Sequence, residues 1–190
     1  MSKSRALGQE GRTVEALQAA RAVRQACDAA SLGVELAVAA LEAVGNPTEA
    51  CDEAKSGCAS LPHDPICAVL HARLLARTGS IAQAEEDLAA LVDQRATTVR
   101  PDDETHVGFV RAARALEGLR AARAAKDAGN TAYGASQFER AVKAYTDGLE
   151  ADVEGCLSTT LLGNRSQAYV KIGEVRGTAR THTYPSPPLL

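Results

Sequence analysis

Three polar residues in the C-terminal half of the chain have the types and spacing of a site for an anionic ligand. Lys126 and Asn130 are four residues apart, so both extend from one face if this segment is helical. Asn164 lies in the phrase GNRSQAY, within the next segment of the same pattern. A Lys ammonium supplies a point charge, and Asn amides supply directed N–H donors to carboxylate oxygens. These three side chains are therefore the candidate ligand-binding residues.

A second constellation consists of Cys and His residues with some likeness to a zinc site. Cys58, His63, Cys67 and His71 are close in sequence, and the last two are four apart, as metal ligands on a helix can be. The repeat register described below places them at helix-packing and turn positions, where Cys behaves as a small apolar residue. We therefore predict no metal site and no cofactor.

Motifs of catalysis are missing from the sequence. It contains no Ser/His/Asp signature, no Walker loop and no Gly-rich dinucleotide turn. We therefore predict that the chain is not an enzyme.

Composition indicates a helical protein with no nucleic-acid or membrane partner. Apolar residues make up 45% of the 190 residues but aromatic residues only 3%, so the core must be built from Ala, Leu and Val. The net charge of −3, without a basic run interleaved with aromatics, argues against nucleic-acid binding. The sequence has neither a signal peptide nor an apolar stretch of membrane-spanning length. Its five Cys are best interpreted as reduced thiols, and we expect a cytoplasmic protein.

The elements that position these residues recur at a constant period. A Gly returns at one fixed interval, at Gly11, Gly45 and Gly79. An Ala returns at the same interval, at Ala16, Ala50 and Ala84. Helix–turn–helix units of this length, about 34 residues, are typical of tetratricopeptide repeats (TPRs). An Ala-rich helical bundle, the alternative, has helical periodicity but no such longer period.

A fourth unit, AKDAGNTAYGASQFERAVKAYTDGLEAD at residues 125–152, closely resembles the TPR consensus. Gly129, Ala141, Tyr145 and Gly148 stand at consensus positions, and Ser136 replaces the usual turn Gly. A fifth unit begins with LLGNRSQAYVKIGE, in which Tyr169 and Gly173 match the pattern.

The resemblance implies an all-α fold, a TPR solenoid of helical hairpins stacked into a right-handed superhelix with a concave face. Small residues at Ala50, Ala84, Ala141 and Gly129 are expected to let neighbouring helices approach closely. Two arrays are expected, because the step from Ala84 to Ala141 is longer than one period and shorter than two. One helix from about Glu104 to Gly134 is expected to join them, weakened slightly by Gly108 and Gly118.

These observations predict four segments. Residues 1–98 form an N-terminal array of about three repeats, the first of them shortened. Residues 99–121 form a linker and the start of the long helix, and residues 122–175 form a second array of one full repeat and half of another. Residues 176–190, with three Pro and little periodicity, are expected to be a disordered tail.

Lys126, Asn130 and Asn164 resemble the two-carboxylate clamp of chaperone-binding TPR domains. In that family a Lys and an Asn on the first helix and an Asn on the third bind the free carboxylate and the Asp of a heat-shock chaperone tail. The family clamp also uses a Lys and an Arg from a further repeat, for which this sequence has no counterpart. The alternative is a solvated Lys beside two helix-packing amides. Earlier units lack the clamp types, since their equivalent pairs are Glu35 with Ala39 and Val69 with Arg73.

The segment at about residues 104–175 looks most like the TPR region of J-domain co-chaperones, although the J-domain itself is absent from this sequence. The fifth unit has no closing helix, which predicts exposed apolar surface and suggests that the chain is a fragment or a truncated or spliced product. We therefore expect a co-chaperone-like adaptor that binds a protein or peptide ligand, here the acidic C-terminal tail of a heat-shock chaperone. The alternative is a TPR scaffold in another assembly with no chaperone link.

Overall fold

The described part of the chain is helical throughout. The computed structural model describes residues 30–61, 64–98 and 106–182, together with positions 14–15, 18–19 and 22. Its helices are α1 (Ala30–Val44), α2 (Pro47–Ser60), α3 (Pro65–Arg77), α4 (Ile81–Thr98), α5 (His106–Gly134), α6 (Phe138–Ala151) and α7 (Ser158–His182). These ranges contain no strand, so the predicted all-α fold is confirmed.

The chain divides into two compact units whose boundary lies within α5, between Glu117 and Gly118. In the first unit, consecutive helices pack against each other from α1 to α4, and α1 also contacts α3. Its core is an apolar cluster of Val34, Val38, Leu41, Ala50, Ala54, Cys67, Leu70 and Leu74. In the second unit α6 packs against α7 around the fully buried Tyr145 and Leu161. The predicted residue bounds of the two arrays stay a prediction.

The turns between helices repeat with the predicted register. Gly45 and Gly79 have φ values of +83° and +102°, and Ser136, at the corresponding position of the fourth unit, has φ 59°. Each turn closes with a bond from the next residue's N–H to the carbonyl five residues before it: Asn46 to Leu41 (3.0 Å), Ser80 to Leu75 (2.8 Å) and Gln137 to Ala132 (2.9 Å). This bond and the left-handed residue define a Schellman helix end. Gly11 and Ala16 of the first predicted unit lie outside the described residues.

Small residues lie where the helices of each hairpin approach most closely. Ala50, Ala84 and Ala141 are 0% exposed. A Cβ atom on Gly57 would lie 2.8 Å from the Val34 side chain, and one on Gly148 would lie 3.0 Å from Ala125. Both pairs occupy the same positions relative to their turns, which indicates that the two hairpins share a packing geometry.

The helix predicted from about Glu104 to Gly134 is α5, and its two glycines have a role that helix propensity did not predict. A Cβ atom on Gly108 would collide with the ring of Pro65, and one on Gly118 would lie 2.6 Å from the Ala151 carbonyl oxygen. Both glycines therefore allow close packing. Glu104, near which this helix was predicted to begin, lies outside the described residues.

The tail predicted to be disordered from residue 176 is in part helical, because α7 continues to His182. Gly173, which matches the repeat pattern of the fifth unit, lies inside α7 and is not among the glycines of positive φ. No Pro follows it before Pro185, so nothing in the intervening sequence stops the helix. Residues 183–190 lie outside the described residues. No helix of the described part is both long enough and apolar enough to cross a bilayer.

Candidate functional site

The candidate site lies in the second unit, on α5 and α7. The segment of α5 that contains Lys126 and Asn130 follows an Ala- and Arg-rich run with high helix propensity, which places both residues on one face one turn apart. Lys126 is half-buried and Asn130 is exposed. Within the described residues, the Lys126 ammonium forms no ion pair with a carboxylate.

Two donors converge on the side-chain oxygen of Asn130. The Tyr145 hydroxyl donates to Asn130 Oδ1 at 2.9 Å, and Asn164 Nδ2 donates to the same oxygen at 3.1 Å. The structure therefore brings together two of the three predicted residues, Asn130 and Asn164, through a direct bond between α5 and α7. Lys126 lies one turn before Asn130, and its side chain takes no part in this bond.

Tyr145, on α6, completes the cluster. It is 2% exposed, and its ring lies against Gly129, the residue before Asn130. Burial raises the pKa of the Tyr145 hydroxyl and the neighbouring Tyr133 raises it further, whereas a hydrogen bond with Asn164 lowers it. The phenol therefore remains protonated near neutral pH and available as a donor. From the sequence Tyr145 was identified only as a consensus position of the repeat; the missed signal was a hydroxyl-bearing ring opposite a Gly.

Two interactions fix the position of α7, and with it Asn164. The carboxylate of Asp152 is 6% exposed and accepts bonds from the Cys156 N–H (2.8 Å), the Leu157 N–H (2.7 Å) and the Ser158 hydroxyl (3.0 Å). These bonds organise the loop before α7 and satisfy donors at the helix start. Arg165 on α7 also donates to the Thr146 hydroxyl on α6 at 3.3 Å.

The Asn130 amide presents hydrogen-bond donors to a ligand. The oxygen of Asn130 already accepts two bonds, and neither bond uses its own N–H groups. Asn164 donates to Asn130 and also has a hydrogen bond with the Tyr145 hydroxyl, so the amide donors left for a ligand are those of Asn130. The Lys126 ammonium adds a positive charge one turn away. This arrangement favours a ligand that only accepts hydrogen bonds, such as a carboxylate.

The equivalent positions of the earlier units have different partners. Glu35 accepts a bond from Arg111 at 2.8 Å, and Arg73 donates to Glu42 at 2.7 Å. Arg77 also pairs with Glu42. Val69 is buried and Ala39 is exposed. In the first unit these positions therefore hold internal ion pairs and packing contacts in place of outward amides.

One face of α7 exposes apolar side chains. Leu162 is 48% exposed, and Tyr169 and Val170 are each 57% exposed. With Arg165 and Ser166 they line an open depression. Counted back from Gly173, Leu162 and Ser166 have the positions that Ala125 and Gly129 have before Ser136, where α6 packs against α5. By this register, the exposed face corresponds to a surface of α5 that α6 covers.

The Cys and His constellation does not form a metal site in the described part of the chain. Cys67 is fully buried, Cys58 is half-buried, and His63 lies outside the described residues. The described His, Cys, Asp and Glu residues include no group of three or more placed to hold a metal ion. No disulfide joins the described cysteines, which are Cys51, Cys58, Cys67 and Cys156.

Comparison with known proteins assigns no relative to this chain: no family model, no curated protein and no solved structure matches it.

Proposed function

We propose that this chain is a TPR-type protein–protein interaction adaptor, co-chaperone-like, that binds the acidic C-terminal tail of a heat-shock chaperone. Lys126, Asn130 and Asn164 are its ligand-binding residues. The observation that carries the proposal is the Asn164–Asn130 hydrogen bond of 3.1 Å, because it joins two amides from successive repeat units at one surface with N–H groups left for a ligand.

The TPR part of the proposal rests on the recurring geometry of the hairpins. Turns at Gly45, Gly79 and Ser136 share a left-handed residue and the same closing bonds. A hairpin period of about 34 residues is the mark of TPR proteins, which bind ligands on the surface of stacked helices.

The chemistry of the ligand follows from the donors. A free α-carboxylate and an Asp side chain accept hydrogen bonds only, so they suit amide N–H groups and an ammonium. Each hydrogen bond to a charged group contributes about 1.5–3 kcal/mol. The family clamp has two further basic positions, so the three residues present here predict weaker binding than a complete clamp.

Isothermal titration with a chaperone C-terminal peptide tests the proposal. We expect binding that Lys126→Ala weakens by about tenfold or more, the effect of losing one charged hydrogen bond. Lys143→Ala is the matched control, because Lys143 is exposed on α6, the helix that contains none of the three proposed ligand-binding residues. Equal losses from both variants would indicate nonspecific attraction between Lys and an acidic peptide.

The exposed apolar face of α7 favours a second candidate function, a TPR scaffold in another assembly without a chaperone link. Contiguous exposed apolar side chains are typical of protein-binding surfaces. If the chain releases no heat with the peptide, and none after a third repeat is added, the chaperone-tail proposal is wrong and the scaffold is the remaining candidate.

A further inference from the structure

Large and small residues alternate along the exposed face of α7. Leu162, Ser166, Tyr169 and Gly173 are all exposed, and they follow one another at steps of four, three and four residues. This is the spacing at which the contact residues of two packed helices recur. A Cβ atom on Gly173 would meet nothing within 4 Å, so the space beside it is open. The stripe therefore has both the spacing and the shape of a helix-packing surface.

The contact between α5 and α6 shows how a surface of this kind is covered. The ring of Tyr145 lies against Gly129, where a Cβ atom would come within 2.6 Å of Tyr145 Cδ1. One turn away, a Cβ atom on Gly148 would lie 3.0 Å from Ala125. The later residue of α6 meets the earlier residue of α5, so the two helices run antiparallel. The α5 half of this contact is a residue followed by a small one, and the α6 half is a ring followed by a small residue.

The stripe on α7 contains both halves of this contact on one face. Leu162 and Ser166 have the register positions of the α5 half, and Tyr169 and Gly173 supply a ring followed one turn later by a small residue, as in the α6 half. If two α7 helices meet antiparallel with Tyr169 opposite Ser166, then Leu162 lies opposite Gly173. Every large residue then meets a small one. The surface is therefore complementary to itself, as a two-fold dimer requires.

We propose that this face of α7 is a homodimer interface, on which two copies of the chain pack antiparallel with Tyr169 of each copy against Ser166 of the other. Burial of the exposed apolar side chains drives the association. One pair of helices buries less than the roughly 800 Å² per partner of a standard interface, so we expect a dissociation constant in the micromolar range. Asn164 is two residues from both Leu162 and Ser166, which places it on the opposite side of α7. The dimer therefore leaves the candidate ligand site open.

Sedimentation equilibrium of the full chain, from about 5 µM to about 500 µM, tests the proposal. The variants are Tyr169→Ser, Ser166→Tyr and the two substitutions combined. Gln167→Tyr is the matched control, because it places the same ring at the next exposed position of α7, outside the stripe. Circular dichroism checks that each variant retains its helices.

We expect the wild type to dimerise and each single variant at Ser166 or Tyr169 to weaken the dimer by about tenfold or more. In Ser166→Tyr a ring faces a ring, and in Tyr169→Ser a small residue faces a small one. The combined variant should return to within about threefold of the wild type, because each ring again faces a Ser. Gln167→Tyr should change the dissociation constant by less than about threefold.

A wild type that stays monomeric over this range would overturn the proposal and leave the face to a helix of another protein. Stronger association of both Ser166→Tyr and Gln167→Tyr would indicate nonspecific attraction between rings and would also overturn it. If the combined variant does not recover what the single variants lose, the antiparallel pairing is wrong. The proposed function is tested separately by peptide binding, because Asn164 lies on the other side of α7.

Discussion

The ring of Tyr145 occupies the space that any side chain at Gly129 would need. A Cβ atom at Gly129 would lie 2.6 Å from Tyr145 Cδ1 and 2.8 Å from Cζ. Tyr145 is only 2% exposed, so its ring is held by the surrounding core. The clash could therefore be relieved only if α5 and α6 moved apart. The contact brings α5 and α6 together beside Asn130, and thus couples core packing to the candidate site.

Gly129→Ala should therefore destabilise the second unit by about 1–3 kcal/mol, the usual cost of overpacking. The midpoint of urea unfolding measures this change. Gly134→Ala is the control on the same helix, because a Cβ atom there meets no atom within 4 Å. The control should be neutral or slightly stabilising. Equal effects of the two substitutions would contradict the packing argument.

Substitutions at two equivalent left-handed turn positions should change the stability of the protein in opposite directions. Ser136→Gly should stabilise the protein by about 1 kcal/mol, because Ser136 has φ 59° and Gly adopts that conformation without strain. Gly79→Ala should destabilise it by about 1–2 kcal/mol at φ +102°. A Cβ atom at Gly79 meets nothing within 4 Å, so the backbone alone accounts for the loss. Thermal unfolding measures both changes.

Gly173 is the control for these turns. It also lacks neighbours within 4 Å but lies inside α7 without a positive φ. Gly173→Ala should therefore stabilise by about 0.5–1 kcal/mol, as Ala does in a helix interior. A loss of stability would mean that Gly173 occupies a turn, as the repeat pattern predicts, and would contradict the extended α7.

The sequence predicted the hairpins well because the features that define them are local. A Gly just after a helix signals a left-handed turn, and a small residue at a fixed offset from it signals a close approach. Gly45, Gly79 and Ala141 therefore identified turns and contacts that the structure contains. Propensity failed at Gly108 and Gly118, because a per-residue helix cost does not include the neighbouring Pro65 or the Ala151 carbonyl that these glycines admit.

The candidate site was predictable only in part. Resemblance identified Asn130 and Asn164, but their bond depends on how α7 is rotated about its axis, which the bonds of Asp152 to the loop help to set. Tyr145 was identified only as a consensus position, because the repeat pattern does not predict where a hydroxyl points. The end of α7 was missed because Gly173 fits the repeat pattern while its backbone remains helical.

Asp152 should be the most sensitive polar residue of the second unit. Asp152→Ala removes the acceptor for the N–H groups of Cys156 and Leu157 and for the Ser158 hydroxyl, in a buried setting. Leaving buried donors unsatisfied should cost about 2–4 kcal/mol in the free energy of unfolding. Asp147→Ala, at an exposed position on α6, should change it by less than about 0.5 kcal/mol. Urea titration of both variants tests this; a similar small effect at Asp152 would contradict the buried cap.

His71 should make the stability of the first unit dependent on pH. Burial lowers its pKa below the ordinary 6.5; Asp87 acts to raise it and Lys55 to lower it further. The nearest oxygen of Asp87 is 3.9 Å from His71 Nδ1. Because the folded pKa is depressed, the unfolded chain binds the proton more readily. The contribution of His71 is therefore fully present above pH 6.5 and is lost as the pH falls through the folded pKa.

Urea unfolding at a series of pH values from about 8 to 5.5 measures this dependence in the wild type and in two variants. His71→Gln should flatten the decline at acidic pH, whatever its effect on stability at neutral pH. Asp87→Asn should make the decline larger, because the carboxylate that opposes the shift is gone and the folded pKa falls further. An unchanged slope in His71→Gln would assign the acid sensitivity to other groups. A smaller decline in Asp87→Asn would mean that the carboxylate does not stabilise the protonated imidazole.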